Sequence, residues 1–387
     1  MRIFVIHNFY QHAGGEDQVF EQEVRELSKK HDVKAYTVKN MKGLTGAVQF
    51  LRYVWNVEEG RKIMGQVNEF QPDVVHIHNL HYSIGPLIIR RLRNRGLPVV
   101  MTLHNFRLLC PSASLFVEGE IFTDSVQQNF PWTAVKKRAL DHSLGKTLVT
   151  AFVYWLHRKL GTWAQVNRYI VLSDFAKKMF AESTFPVDPA RFVVRPNSME
   201  LRPIQADKNR RLLYIGRLSA EKGIMQLLNA ISEMDIPLDI YGTGPQLEIV
   251  KQLIAPYPHI QYKGYQSQEV LTKAIAEADA LVVPSVCYEG MPMTIIEAFA
   301  QGTAVLASEI GILKEMVVPL YTGMHFNPFQ KKDIQACIVA WNELATGKKL
   351  EVAVNCRNEY AKHYTLAKNM ERLLAMYKAV ITEQKNK

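Results

Sequence analysis

The chain has 387 residues but only four cysteines, Cys110, Cys287, Cys337 and Cys356, and no two of them form a Cys-x-x-Cys pair. Spacing of this kind excludes a zinc ribbon and a disulfide scaffold, and it fits free thiols in a reducing compartment. No uninterrupted apolar run reaches the roughly 18 residues that a membrane-spanning helix requires. The most apolar stretch, "LVTAFVYWLHRKLGTW", is broken by His157, Arg158 and Lys159. The chain opens directly on strand-like "MRIFVIH", so no signal peptide is expected and a cytoplasmic location follows. There is no repeat of 20–50 residues, no low-complexity segment and no full Gly-x-Gly-x-x-Gly, which removes the dinucleotide fingerprint. There is also no Asp-x-Asp, a carboxylate pair suited to holding a divalent cation.

What is present describes a globular protein. Hydrophobic content is 48% and charged content 22%, and the length allows two domains with separate cores. The net charge of +10 is uneven. Residues 1–200 hold 26 Lys and Arg against 18 Asp and Glu, a surplus of eight, and the remainder hold a surplus of two. A basic first half attracts nucleic acid, an anionic membrane or a phosphorylated substrate.

Short apolar runs alternate with helix-periodic segments, the pattern of parallel sheets flanked by helices. Strand candidates in the first half are "RIFVIH", "DVKAYTV", "DVVHIHN", "PVVMTLH", "RYIVLS" and "RFVVRPN", with helices at 16–30, 83–95 and 174–183 among them. The series restarts with "RLLYIGR", "PLDIYG", "IQYKG", "ALVVPS", "AVLAS" and "GMHF". The expected architecture is α/β: two doubly wound, Rossmann-like domains with a cleft between them. The first spans 1–197, a linker 198–210, the second 211–362, and a final helix 363–387. Ligands in such sheets lie beyond the C-terminal ends of strands, so the turns there are the place to look.

After the first strand, Gly14 and Gly15 in "HNFYQHAGGED" precede a helix, where backbone amides can approach an anion; an ordinary tight turn explains them equally well. In "GRLSAEKG", Arg217 and Lys222 stand near a helix start between Gly216 and Gly223, two cations suited to a diphosphate. "YGTGP" places Gly242 and Gly244 where backbone can come close to a ligand. The richest turn is "YEGMPMTIIEAFAQG". Pro292 fits the first helical position, Glu289 lies ahead of that helix, and Glu297 lies about 7–8 Å along it at 1.5 Å per residue. Gly290, Met291, Pro292 and Met293 bracket the unpaired amides of the helix start. One carboxylate for hydroxyls, amides for charged oxygens and a second carboxylate for hydroxyls match the order of groups in a nucleotide sugar. A glycosidase acid/base pair, which must flank one bond, fits this layout poorly.

Four histidines, His76, His78, His81 and His104, raise the question of a metal. No cysteine or tight carboxylate cluster is visible beside them in the sequence, so they read as core or substrate-facing residues, and no metal ligand is assigned. The stretch "FVYWLHRKLGTWAQVNR" mixes aromatics with Arg158 and Lys159, which suits either a membrane interface or a buried helix.

In this order and spacing, "GRLSAEKG", "YGTGP" and "EGMPMTIIEAFAQG" resemble the donor half of the retaining glycosyltransferases of family 4, which have the GT-B fold. "HNFYQHAGGED" and "DVVHIHN" extend the resemblance to the first half. "TLHNFRLLCPSA" resembles the branch associated with bacterial surface polysaccharides. Relatives there often carry Cys-x-x-Cys after the "CP" segment, where this chain has "FTDS" at 122–125, so no metal or redox role is carried over to that insertion. The resemblance implies that Glu289 holds donor-sugar hydroxyls, that Glu297 holds the ribose, and that Arg217 and Lys222 neutralise the departing diphosphate. It implies that Gly14 and Gly15 close over the donor or acceptor side, that His104 faces the reacting sugar, and that the final helix crosses back to the first domain.

The implied activity is transfer of a hexose from a nucleoside diphosphate sugar, a UDP-sugar before GDP-mannose, to a glycan or lipid-linked saccharide. Lacking Asp-x-Asp, the transfer is expected to need no metal and no cofactor. With no Asp or Glu in "HNFYQHA", "HIHNLH" or "TLHNFR", and Glu16 and Asp17 read as helix starters, no side-chain base offers itself. Retention of configuration is the consequence expected. A non-hydrolysing nucleotide-sugar epimerase and a non-catalytic nucleotide-sugar binder are the alternatives. Nucleic-acid binding accounts for the charge but for none of the turns, and is not expected; peripheral association with anionic membrane is compatible with the basic first half.

Overall fold

The computed structural model describes residues 1–10 and 14–386. Gln11, His12 and Ala13, part of the expected glycine turn, lie outside the described residues. The chain divides into two compact units.

The first unit comprises Met1–Ser114, Phe122–Asn197 and Leu366–Lys387. Its strands are β1 (Arg2–Phe9), β2 (Asp32–Lys39), β3 (Val74–Ile77) and β4 (Val99–Leu103), with the short hairpin β5 (Phe116–Val117) and β6 (Glu120–Ile121) followed by β7 (Arg168–Val171) and β8 (Phe192–Val194). The hairpin residues Leu115–Ile121 are grouped with the second unit. Six strands form one parallel sheet in the order β2-β1-β3-β4-β7-β8. β3 and β4 are buried at every position, as strands covered by helices on both faces must be. The last helix, Leu366–Lys385, belongs to this unit. Its Leu373, Met376, Tyr377 and Val380 pack with Ile3, Val5, Phe20, Val74 and Val100. Leu366, Met370, Leu373, Leu374, Tyr377 and Val380, at helical spacing in the sequence, make up the face that is buried or partly buried there.

The second unit comprises Ser198–Thr365 besides the hairpin. Its strands are β9 (Leu212–Ile215), β10 (Leu238–Tyr241), β11 (Ile260–Gly264), β12 (Ala280–Val283), β13 (Ala304–Ser308) and β14 (Gly323–Phe326). They form a parallel sheet in the order β11-β10-β9-β12-β13-β14. Residues 200–210, within the segment expected as a linker, contain no helix or strand. They are tied into this unit: Ile204 N donates to Gln301 Oε1 at 2.7 Å, and Lys208 Nζ donates to Thr303 Oγ1 at 2.7 Å.

Strand order fixes where each unit can bind. In a doubly wound sheet, connections leave in opposite directions at the point where the order reverses, opening a crevice beyond the strand ends. In the first unit that point lies between β1 and β3, and in the second between β9 and β12.

Of the aromatic-basic stretch after residue 151, Val153, His157 and Trp163 are buried and Phe152 is exposed. The stretch therefore contributes both to the core and to the surface. No helix among the described residues is long and apolar enough to cross a membrane.

Candidate active site

In the second unit, the turns after β9 and β12 meet at the switch point. Val286 N donates to the carbonyl of Glu221 at 3.0 Å. Gly223 has φ +68°, and a Cβ there would stand 1.8 Å from the carbonyl oxygen of Pro284, so only glycine lets the turns press together. Gly242, at φ +133°, is similarly pinned, its Cβ position 1.9 Å from the carbonyl oxygen of Gly216. A Cβ at Gly244 would meet backbone of Leu218 at 2.4 Å. Three of the four glycines picked out in these two turns thus serve close packing of turn on turn. Around Gly216, the nearest atom is the Tyr214 hydroxyl, at 3.2 Å from the Cβ position.

Over this floor sit the charged groups. Lys222 Nζ donates to both oxygens of Glu289, at 2.6 and 2.8 Å, and Ser285 Oγ donates to Glu289 Oε1 at 2.6 Å. Burial works against the charge on Lys222, but Glu289 outweighs it and holds the ammonium above its ordinary pKa. A carboxylate offers about four acceptor positions, so Glu289 retains capacity for a further donor. Arg217 is exposed. Pro292 is the N-cap of the helix Met293–Gln301, one position earlier than the sequence suggests, and no side chain caps that end. The first amides of the helix, beyond Gly290 and Met291, thus lack intrahelical acceptors. Glu297 is 5% exposed, and its Oε1 accepts from Gln268 Nε2 at 2.9 Å. Burial pushes its pKa up. Gln268 opens the helix after β11, a contact that no local pattern announces.

In the first unit, Gly14 and Gly15 are exposed at the start of the helix Gly15–Ser28. Nothing lies within 4 Å of a Cβ at Gly14. The residues behind them are more telling. Asp17 Oδ2 accepts from Gly14 N at 3.0 Å, while its Oδ1 is 2.8 Å from His7 Nε2. Glu16 turns instead toward the strand ends, accepting from Asn79 Nδ2 at 2.9 Å and Asn105 Nδ2 at 3.4 Å. It lines a pocket with His104, His78, His81 and Arg107. Glu16 therefore starts the helix, as the sequence suggests, and lines the pocket as well, which the sequence did not reveal.

His104 follows β4, with its Nε2 3.1 Å from His78 Nδ1. His78 Nε2 lies 3.4 Å from Glu23 Oε2, and Arg195 Nη1 donates to Glu23 Oε1 at 2.7 Å. Burial opposes the Glu23 charge, yet Arg195 and the histidines hold its carboxyl well below the usual range. An ionised Glu23 favours the proton on His78 Nε2, leaving Nδ1 to accept from His104 Nε2–H. His104 Nδ1 is then the free acceptor, and burial holds this imidazole neutral. His76 is bound on both sides, by the Tyr377 hydroxyl at 2.6 Å and Thr102 Oγ1 at 2.8 Å. The expectation that no carboxylate joins the histidines is thereby corrected, because Glu23, His76 and His78 bring ligand atoms within 4.8 Å of one another. The Arg195 guanidinium already balances that carboxylate, and both His76 nitrogens have partners. The arrangement is that of a buried ion pair extended by imidazoles.

Comparison with known proteins agrees with this architecture. Residues 13–202 match the family described as Glycosyltransferase Family 4, and residues 200–357 the family described as Glycosyl transferases group 1. A lipopolysaccharide 1,2-N-acetylglucosaminetransferase of Salmonella typhimurium is 34% identical over 129 residues, covering 30% of this chain and 34% of the relative. The chain spans only 33% to 50% of the length of the first curated relatives it matches. Among solved structures, a sucrose-phosphate synthase of Thermosynechococcus elongatus superposes with a TM-score of 0.73 at 15% identity, covering 99% of both chains. The HepE protein of Anabaena, solved with UDP and glucose, gives 0.70 at 14% identity, covering 98% of this chain and 100% of that one. Likeness at such low identity speaks for the fold alone. With both units matched in turn, the chain belongs to the GT-B glycosyltransferases, family 4 in its first half and group 1 in its second.

Proposed function

We propose that the protein is a retaining glycosyltransferase that moves a hexose from a nucleoside diphosphate sugar to a glycan or lipid-linked acceptor in bacterial surface polysaccharide synthesis. The observation that carries this reading is Glu289, held by Lys222 and Ser285 at the switch point beside an uncapped helix start. Donor-sugar hydroxyls take the remaining acceptor capacity of Glu289. Lys222, Arg217 and the helix amides stabilise the diphosphate as its bond to the anomeric carbon breaks. Glu297 accepts from the ribose hydroxyls. A UDP-sugar is the favoured donor, in keeping with the HepE structure that holds UDP, and GDP-mannose is next.

The base requires the most argument. Glu16 lines the pocket beyond the strand ends of the first unit, and burial, with Asp17 adding, pushes its pKa to about 8. Its two oxygens already accept from Asn79 Nδ2 and Asn105 Nδ2, so it is not presented to an acceptor hydroxyl as a free base. The departing diphosphate oxygen then takes the acceptor hydroxyl proton on the face where the new bond forms, and configuration is retained. Lys222 and Arg217 supply the positive charge that a metal supplies elsewhere, which makes the reaction metal-independent.

Peripheral docking on anionic membrane is supported by the basic surplus of the first half. It is supported too by Leu44, Val48, Leu51 and Trp55, all more than 40% exposed along one stretch. On this reading the enzyme works at the inner face of the cell membrane. The test is the anomeric proton coupling of the product by NMR, with and without EDTA. An α-product from an α-linked donor, formed equally with chelator, is expected. A β-product overturns retention, and loss with EDTA restored by Mn²⁺ overturns metal independence.

A further inference from the structure

The first unit has its own cavity, lined by Tyr10 and Glu16, by the loops after β3 and β4 and by the helix Leu144–Lys159. It lies at the β1/β3 switch point, where doubly wound sheets bind ligands. The charges inside it do not balance. Arg107 extends into the cavity, with its guanidinium carbon 6.0 Å from the centre of the Tyr10 ring. Its Nη1 donates to the carbonyl of Pro111 at 3.0 Å, and among the described residues its buried Nε has no partner. Among the described residues no carboxylate lies within ion-pair distance of it.

The other groups in the cavity do not supply the missing negative charge. Glu16, the acid there, has both oxygens occupied by Asn79 and Asn105, and burial raises its pKa to about 8. Burial raises the pKa of Tyr10 and Tyr154, so their hydroxyls keep their protons. His81 is held neutral by burial and by Arg107, with its Nδ1 2.9 Å from the Tyr154 hydroxyl. What remains is one fixed cation, an unused N–H and tyrosine hydroxyls facing a common space. A cation removed from water without a counter-charge is costly, and a guanidinium fork matches an oxyanion in both charge and shape.

We infer that this cavity binds an anionic oxygen group of the acceptor, a carboxylate or a phosphate, with Arg107 as its principal ligand. The inference rests on the glycosyltransferase reading for the word acceptor: the diphosphate of the donor already has Lys222 and Arg217 in the other unit. The substrate class is accordingly an acidic acceptor, either a saccharide bearing a uronic acid or one bearing a phosphate, and a neutral glycan is the poorer partner.

The experiment is calorimetric titration of the full chain, with the nucleotide site filled by saturating UDP or GDP. The probes are glucuronate, inorganic phosphate and methyl glucoside. Wild-type protein is expected to bind one of the two anions tighter than the neutral sugar by roughly tenfold to hundredfold, the range of a charged hydrogen bond. Preference for glucuronate assigns the group to an acidic sugar, and preference for phosphate to a phosphoryl acceptor. Arg107→Gln should abolish the preference, while unchanged hydrogen-exchange protection of the first unit reports that it folds. Arg107→Lys keeps the charge and stem but lacks the fork, and should retain part of the preference; it carries the comparison if the glutamine variant does not fold. Equal binding of all three probes by wild type, or anion binding unaltered in the variants, overturns the inference. Anion binding that depends on Arg107 without transfer from any nucleotide sugar would instead sink the transferase reading and leave the cavity assignment standing. Transfer to neutral acceptors that ignores Arg107 would do the reverse.

Discussion

At the switch point of the first unit the strand ends carry histidines, His76 and His78 buried and His104 partly so, leaning on one another and on the Glu23–Arg195 ion pair. At the equivalent point of the second unit they carry glycines, with backbone pressed on backbone and a single ion pair, Lys222–Glu289, set above it. One sheet architecture is thus finished in two ways. Imidazoles give the first crevice a polar wall in which burial disfavours the charged form of His76, His81 and His104. Glycines give the second a floor on which a charged ligand can lie against amides. On the proposed function, the second crevice takes the donor by its diphosphate and the first takes the acceptor.

The largest effect should come from the ion pair. Glu289→Ala is expected to cut transfer by at least roughly a hundredfold, the scale of losing a transition-state contact. Nucleoside diphosphate affinity should stay within a few-fold, since Lys222 is left free for phosphate. Initial rates and calorimetry on the same preparation check this, and a parallel loss of both would reassign Glu289 to the nucleotide.

The glycine floor can be broken directly. Gly242→Ala should destabilise the second unit by about 2–4 kcal/mol, combining a forbidden φ with a backbone clash. Gly14→Ala, which meets nothing within 4 Å, should stay within about 0.5 kcal/mol. Urea unfolding of both variants decides, and similar costs would show that the two glycine turns do not differ in kind.

Glu297→Ala should weaken binding of the free nucleotide by roughly tenfold to hundredfold, as expected when a ribose diol loses a charged acceptor. Undiminished binding in the same titration would remove the ribose assignment.

The histidine wall predicts a smaller, pH-dependent difference. Burial lowers the pKa of His7, His76, His81 and His104, and that of His157 to about 4. The unfolded chain binds these protons near pH 6.5 and the folded unit does not, so the histidine contribution is full above that value and falls as pH drops below it. It is opposed in part by Glu16, whose raised pKa favours the folded unit as pH falls below about 8. Every tenfold loss of proton affinity that folding imposes on such a group corresponds to about 1.4 kcal/mol. Glu23 adds to the loss only below about pH 4.3, where the unfolded carboxyl begins to protonate. Hydrogen exchange at pH 7 and pH 5 should show the first unit losing protection ahead of the second. Equal loss in both would mean that the buried histidines do not set the acid limit.

Much of this was readable from residues near one another in the chain. Each of the twelve strand candidates became a strand; the central ones, covered on both faces, read as short apolar runs, while the edge strands β2 and β11 are mostly unburied. The motif turns stood out because glycine, proline and charge cluster where strands end. The bounds of the helix Met293–Gln301 followed from Pro292 and the run to Gln301. Glu23 and Arg195 could not be paired from the sequence, being 172 positions apart with no local pattern linking them. Gln268 meets Glu297 across 29 positions for the same reason. Glu16 misled in another way: an acid in a first turn is a sound helix starter, and nothing in the sequence tells which of Glu16 and Asp17 caps the helix and which turns to the pocket.

The last helix also bears on the order in which the chain can fold during synthesis. Tyr377 completes the hydrogen bonding of His76, and Leu373 and Val380 fill the core against Ile3 and Val5. The first unit is therefore incomplete until the helix Leu366–Lys385, which follows the whole of the second unit in sequence, has been made. The second unit, contiguous apart from one hairpin, can close while translation continues. Contacts between segments so far apart in sequence are slow to form, and until they do the faces of β1 and β3 that this helix covers are open. A stalled or truncated product of this gene would thus carry a finished second unit beside an unfinished first one, a form suited to chaperone capture.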